Sequence, residues 1–288
     1  MGKKYTSDDI IQLSEKMLDI FNHVYNTNVS ISLDHSLNFD ETYYSGDFET
    51  IHLGISDIGL DISRKNNIVF SLQKILEILQ YLAHEYFHGQ QEKQIKQEPR
   101  QNTLLTTDFI ISELFYDIYR ENHTISMIEV DAEFKSWNAL SIVLPFLLDV
   151  NKKTIDNNLC KLFASRKNEF YDIVKPNILD DTFMNIPGST IADLNTFIEQ
   201  LRNISKNTLR DIPSTLEDYI DTSEAKDPVE QNLKIIQMLP NINSTNPTII
   251  VAQQRLKIFL SENPEIHKVI DDLLSKDTEP EIDFLRRN

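Results

Sequence analysis

An apolar stripe that runs straight into two histidines is the feature that most constrains the fold of this chain. At helical spacing, the stripe consists of Ile68, Leu72, Ile75, Leu79, Leu82 and Tyr86. This spacing predicts one long helix over about 67–93 that buries one face. His84 and His88 continue the helix, and since they are four residues apart, we expect their imidazoles one turn apart on the same face. Buried histidines need partners, so the pattern predicts a ligand here.

The stretch His84-Glu85-Tyr86-Phe87-His88 has the residue types of a hydrolytic zinc site. Two imidazoles at this spacing can chelate one small cation, and neutral imidazole nitrogen suits Zn²⁺. Glu85 directly follows the first histidine, which places a carboxylate beside the cation without making it a ligand. A carboxylate at that place can accept a proton from a water molecule that attacks a carbonyl group. We therefore expect Zn²⁺ on His84 and His88, with Glu85 as general base.

Three short stretches before the motif helix are typical of β-strands. Residues 29–33 alternate between apolar and polar side chains, and residues 42–44 and 48–55 form the second and third stretches. The Ser-Gly-Asp sequence at 45–47 is typical of a tight turn, so the second and third stretches predict a hairpin.

The motif His84-Glu85-Tyr86-Phe87-His88 resembles that of the zincin metallopeptidases, and the resemblance covers roughly residues 1–150. It implies a motif helix under a small twisted sheet, with an edge strand that holds the peptide substrate in extended form. The hairpin that ends in residues 48–55 is where the resemblance places that edge strand.

The third metal ligand separates the subgroups of this class. Metzincins would have a glycine at position 91 and a histidine at position 94, where this chain has Gln91 and Gln94. The pattern of zinc ribonucleases with three histidine ligands is absent for the same reason, because no histidine follows His88 before His123. Peptide deformylases need a cysteine ahead of the motif, and Cys160 comes after it. A glutamate from a later helix remains, as in the gluzincins.

Glu129 is our first candidate for that glutamate, and Glu113 is the alternative. Glu129 lies far enough beyond His88 for an intervening helix and a return. Its sequence Glu129-Val130-Asp131-Ala132 is similar to the Glu-x-x-Ala motif of ImmA/IrrE-like peptidases, which precedes an apolar helix. The spacing of Glu113 is nearer to that of thermolysin-like enzymes.

The gluzincin resemblance also implies supporting residues. An acidic residue one turn after the third ligand often orients the first histidine in that group, which gives this role to Glu133. Asp131 points to another helix face and is therefore a weaker candidate than Glu133 for this role. For a donor to the charge that develops in the transition state, the candidates are His123, Tyr119 and Tyr86.

The remainder of the chain predicts an α+β fold that is mostly α. A first helix begins near Ser7, which can act as its cap. Later helices are predicted over about 106–119, 126–148 with a kink at Pro145, 154–173, 190–205, 214–221, 228–239 and 249–275 with a break at Pro264. Eight of the ten prolines follow residue 150, whereas six of the seven histidines lie at or before His123. We therefore predict a zincin-like domain over 1–150 and a helical domain of unknown role over 151–288.

Charge and cysteine content exclude several classes of function. The net charge of −17 repels nucleic acids and anionic membranes. One cysteine permits neither an internal disulfide nor a thiolate metal cluster. No secretory signal follows the first lysines, and the longest apolar run, 139–150, is too short to span a bilayer, so we expect a cytoplasmic protein.

These observations favour an intracellular zinc metallopeptidase that acts on a peptide or protein. The alternative is a zincin-like binding or scaffold protein without hydrolytic activity, whose helical C-terminal half contacts a partner. A third hypothesis is a helical interaction protein without a metal ion.

Overall fold

The fold is known from a computed structural model that describes residues 5–46, 49–56, 69–115, 126–174, 190–207, 209, 212 and 214–276. For residues 40, 165–174 and 214 it describes the backbone only. The described residues are mostly helical and form one small sheet, so the predicted α+β, mostly α class is confirmed.

Ten α-helices are formed by the described residues. They are α1 Ser7–Tyr25, α2 Leu72–Gln97, α3 Thr103–Leu114, α4 Met127–Leu148, α5 Lys152–Val174, α6 Ile191–Asn207, α7 Ser214–Glu217, α8 Pro228–Met238, α9 Pro247–Glu262 and α10 Pro264–Lys276. Each predicted helix has a counterpart, and Pro264 separates the last two as expected. The predicted start of the motif helix at 67 and the predicted end of the following helix at 119 lie outside the described residues.

The first helix is closed by its own sequence at both ends. Thr6, one residue before the predicted cap Ser7, accepts the N–H of Asp9, and the Asp9 carboxylate accepts the N–H of Thr6. This reciprocal pair satisfies two N–H groups that the first turn leaves without helical partners. Asn26 ends the helix in the left-handed conformation, at φ 51°.

The sheet has three strands among the described residues: β1 Ser30–Asp34, β2 Tyr43–Ser45 and β3 Thr50–Gly54. Their order is β1-β3-β2, with β1 parallel and β2 antiparallel to β3. The predicted hairpin is present as β2 and β3. Since β3 is the central strand, the edge strand of the hairpin is β2.

Two compact units make up the chain, and each consists of two separate segments. The first contains residues 1–92 and 129–202, and the second contains 93–128 and 203–288. This division differs from the predicted domains 1–150 and 151–288. That these two ranges fold independently of each other stays a prediction.

The first unit buries the predicted stripe of α2. Ile75, Leu79, Leu82 and Tyr86 are completely buried. An aromatic cluster of Phe21, Tyr25, Tyr86 and Phe87 joins α1 to this helix. Burial of this many large side chains holds α2 rigidly, which fixes the direction of the polar residues on its other face.

The second unit has an apolar core of its own. Its most buried members include Ile110, Ile111, Leu114, Ile235, Leu256 and Ile270. They come from α3, α8, α9 and α10, so residues 93–128 and the last helices share one core. None of the described helices combines the length and apolarity that crossing a bilayer requires.

Candidate metal centre

Two helices of the first unit supply the site. α2 carries His84, Glu85 and His88, which form a group that could hold a metal ion. The first turn of α4 carries Glu129. The predicted motif residues therefore lie on one helix, and the first candidate for the third ligand approaches from another.

Two nitrogen and two oxygen atoms of three side chains converge on one point between these helices. His84 Nε2 lies 3.0 Å from Glu129 Oε2, and His88 Nε2 lies 3.3 Å from Glu129 Oε1. The two Nε2 atoms are 3.0 Å apart. These separations approach the edge of a tetrahedral zinc site, which is about 3.3 Å for Zn–N bonds near 2.0–2.1 Å.

The hydrogen-bond partners of the two Nδ1 atoms determine whether the Nε2 atoms can act as metal ligands. His84 Nδ1 lies 2.9 Å from Glu133 Oε2, and an ionised carboxylate only accepts, so this Nδ1 carries the proton. His88 Nδ1 lies 3.1 Å from Gln91 Oε1, whose amide nitrogen donates to Asp131 over 3.0 Å, so His88 Nδ1 also donates. When both imidazoles are neutral, both Nε2 atoms therefore carry lone pairs.

A positive charge has to lie among these atoms. Two lone-pair nitrogens and a carboxylate repel one another unless a proton or a metal ion separates them. The pKa of His84 reflects this need for a positive charge. Burial lowers the pKa, but the hydrogen bonds and charges of Glu129 and Glu133 outweigh burial and raise the pKa from 6.5 to about 10. The donor set thus fits a small cation.

The site is accessible from one side. The side chains of His84, His88 and Glu129 are 13%, 18% and 13% exposed, whereas Glu133 behind them is 2% exposed. A cation or a water molecule can therefore reach the converging atoms from solvent.

Glu133 is held by three donors. Its Oε2 contacts His84 Nδ1 and accepts from Gln80 Nε2 at 3.0 Å, and its Oε1 accepts from Trp137 Nε1 at 2.7 Å. Three such contacts fix the buried carboxylate in position. Glu133 therefore contacts His84, and its role in orienting this histidine stays a prediction.

Glu85 lies beside the converging atoms and is held by the sheet. Its Oε2 accepts the backbone N–H of Tyr44 on β2 over 3.0 Å. Burial raises the pKa of Glu85, and the charges of His88 and His84 oppose this rise without cancelling it. The Tyr44 ring packs on Gly89, where a Cβ atom would lie 2.7 Å from ring carbons, so the strand approaches the helix as closely as a glycine allows.

The other sequence candidates occupy different places. Glu113 lies on α3 in the second unit. Tyr86 is buried in the aromatic cluster, where its hydroxyl pairs with Thr27, and this burial raises its pKa to about 12. His123 and Tyr119 lie outside the described residues, so their role stays a prediction.

Gln91 and Tyr44 were missed in the sequence, and Asp131 was considered but ranked low. Gln91 follows His88 by three residues, and this helical spacing could have revealed their contact. Asp131 ranked low because it lies on another face of α4 than Glu129. No local signal connects Tyr44 to Glu85, because their contact joins a strand to a helix.

No protein-family model, known protein or solved structure gives a significant match to this chain. What the structure shows is a His84-Glu85-His88 cluster of the H-E-x-x-H kind on one helix. The resemblance to zincins continues to depend on this motif and on the residues around it.

Proposed function

We propose that this protein is a zinc-dependent peptidase of the zincin type. One observation carries the proposal: three lone-pair acceptors converge at distances that suit a small cation, with the partly buried carboxylate of Glu85 beside them. A zinc site that serves only to stabilise a fold needs no such additional carboxylate.

The donor set favours zinc over other common cations. Two imidazoles and one carboxylate are a ligand set of catalytic zinc sites, whereas calcium and magnesium prefer oxygen atoms alone. His84, His88 and Glu129 would hold the ion. A zinc ion at this point would polarise a carbonyl group and lower the pKa of a water molecule.

The remaining catalytic roles are assigned to residues of the chain. Glu133 and Gln91 keep the Nδ1 protons on the two imidazoles, so that both Nε2 atoms remain ligands. Glu85 accepts a proton from the attacking water and later delivers it to the leaving amine. The raised pKa of Glu85 brings it closer to the pH at which such transfers are efficient.

The position of β2 suggests how a peptide would bind. β2 is an edge strand of the described sheet, and Tyr44 N–H points to the site. In a strand, the carbonyl of a residue points to the same edge as its N–H, so the Tyr44 carbonyl can accept from an extended peptide. Strand addition of this kind favours an unfolded peptide segment as substrate.

The test is cleavage of a peptide library by zinc-loaded protein, followed by mass spectrometry of new termini. We expect Glu85→Gln to retain zinc and to lose cleavage by a factor of about 10²–10⁴, because a positioned general base contributes about that much. Glu77→Gln is the matched control, since Glu77 lies on the same helix and pairs with Lys74 at the surface.

Two outcomes would contradict the proposal. Equal cleavage by the wild type and Glu85→Gln would exclude Glu85 as the base. Zinc binding without cleavage of any peptide would favour the alternative, a zincin-like scaffold protein.

A further inference from the structure

We propose that helix α6, in the C-terminal half of the chain, positions the metal ligand His88 through Arg202, Asp131 and Gln91. The inference rests on the proposed metal binding and deepens it. It assigns a role to a part of residues 151–288, for which the sequence predicted none. All four residues belong to the first compact unit.

The first link is the contact between His88 and Gln91. His88 Nδ1 lies 3.1 Å from Gln91 Oε1, and Gln91 is 1% exposed. With water largely excluded, the amide oxygen is the acceptor that keeps the proton on Nδ1. That proton position leaves the Nε2 lone pair for the metal ion.

The second link fixes which end of the amide faces His88. Gln91 Nε2 donates to Asp131 Oδ2 over 3.0 Å. A rotated amide would place its oxygen against the Asp131 carboxylate and its NH₂ group against His88 Nδ1, which would then have to accept. The proton would move to Nε2, and His88 could no longer bind a metal ion through that atom. Asp131 therefore selects the tautomer that serves as ligand.

The third link holds Asp131 in place. Its side chain is 6% exposed, and a carboxylate so buried requires cationic partners. Lys135 Nζ lies 2.8 Å from Oδ2, and the Arg202 guanidinium lies 3.1 Å from Oδ1. Lys135 belongs to the same helix as Asp131, whereas Arg202 comes from α6, 71 residues further along the chain.

Arg202 is itself oriented by its surroundings. Its guanidinium lies 4.6 Å from the centre of the Phe134 ring, which restricts the plane of the group, and its Nη1, which does not contact Asp131, lies 3.3 Å from the exposed Glu199 carboxylate. The planar group can therefore present one edge to Asp131 in a fixed direction. Glu199 is 49% exposed and contacts Arg202 without contributing to the path to His88, which makes it a suitable control.

The experiment measures zinc affinity by competition with a chromophoric chelator. We expect Gln91→Met to weaken zinc binding about 10–100-fold, the usual effect of removing a residue that orients a ligand. We expect Arg202→Met to weaken it less, by about threefold to tenfold, and Arg202→Lys to restore most of the affinity. Glu199→Gln and Gln73→Met, the latter near the start of α2, should bind zinc as the wild type does.

A second readout reports on the tautomer directly. In long-range ¹H–¹⁵N NMR spectra of the zinc-loaded protein, we expect a slowly exchanging Nδ1 proton on His88. This signal should persist in Glu199→Gln and disappear in Gln91→Met. A residue that only stabilised the fold would not change it selectively. Since Arg202 is 21% exposed, Arg202→Met tests the path even where Gln91→Met does not fold.

The outcomes separate this inference from the proposed function. If the wild type binds no zinc, the proposed function fails and this inference fails with it. If the wild type binds zinc and both Gln91→Met and Arg202→Met bind it equally tightly, the metal site stands and the positioning path is wrong. Loss of affinity in Glu199→Gln equal to that in Arg202→Met would also overturn the path.

Discussion

The backbone N–H of Tyr44 donates to Glu85 Oε2 over 3.0 Å, and this bond joins the edge strand β2 to the motif helix α2. The carboxylate is thereby oriented by the strand that we propose holds the substrate. One strand residue therefore couples two tasks, the alignment of the base and the alignment of the peptide.

Gly89→Ala tests this coupling. The added methyl group would lie 2.7 Å from the Tyr44 ring, so the ring has to move, and we expect the Tyr44 N–H to be displaced from Glu85 with it. We expect cleavage to fall about 10²-fold with little change in zinc affinity, because displacements of about 1 Å have effects of that size. Gly46→Ala is the control, since the atoms nearest to its methyl group belong to the carboxyl end of the flexible Glu92 side chain. Equal activity of both variants would contradict the coupling.

Glu129→Ala and Glu113→Ala together decide the third ligand. Glu129 contacts both Nε2 atoms, so its removal should weaken zinc binding by more than the roughly 10–100-fold typical of an orienting residue. Glu113 lies in the second unit, and its removal should leave zinc affinity unchanged. The measurement is chelator competition on purified protein. The reverse ranking of the two variants would assign the ligand to Glu113.

Glu133→Gln should weaken zinc binding about 10–100-fold while preserving the shape of the side chain. The neutral amide cannot accept from His84, Gln80 and Trp137 as the carboxylate does, so the Nδ1 proton of His84 loses its partner. Unmet hydrogen bonds at a buried position should also lower the free energy of unfolding by about 1–3 kcal/mol. Chemical denaturation of the metal-free protein measures this second effect, and unchanged stability would contradict it.

Zinc affinity should fall as pH falls. The metal-free site holds a proton because Glu129 and Glu133 raise the pKa of His84 to about 10, and zinc needs the neutral imidazole. Below about pH 10, zinc therefore displaces a proton, and affinity should rise about tenfold for each pH unit between about pH 6 and about pH 9. Titration calorimetry in buffers of different ionisation enthalpy counts the released protons. A pH-independent affinity would show that no proton competes.

Local patterns were sufficient to predict the helices and the motif. The apolar spacing along α2 identified the buried face because that face packs against a continuous core. The resemblance to ImmA/IrrE-like peptidases and gluzincins led us to expect Glu129 and Glu133 near the histidines, and both carboxylates contact His84.

Features that depend on distant contacts could not be predicted. β1 pairs with β3 in parallel, so the central strand is determined by a crossover and not by the hairpin alone. The contact between Gln91 and Asp131 depends on the faces at which α2 and α4 meet. Nothing in the sequence connects Arg202 to Asp131, because salt bridges between distant segments leave no periodic pattern.

The division of the first unit into two segments has a consequence for the order in which the chain can fold during synthesis. The ribosome releases the motif helix first, then residues 93–128 of the other unit, then Glu129, and only much later Arg202. Domains that are continuous in sequence can fold one after another as they emerge. Here 114 further residues (202 − 88) must be synthesised after His88 before Arg202 exists, so the nascent chain acquires the complete set of contacts around its metal centre late.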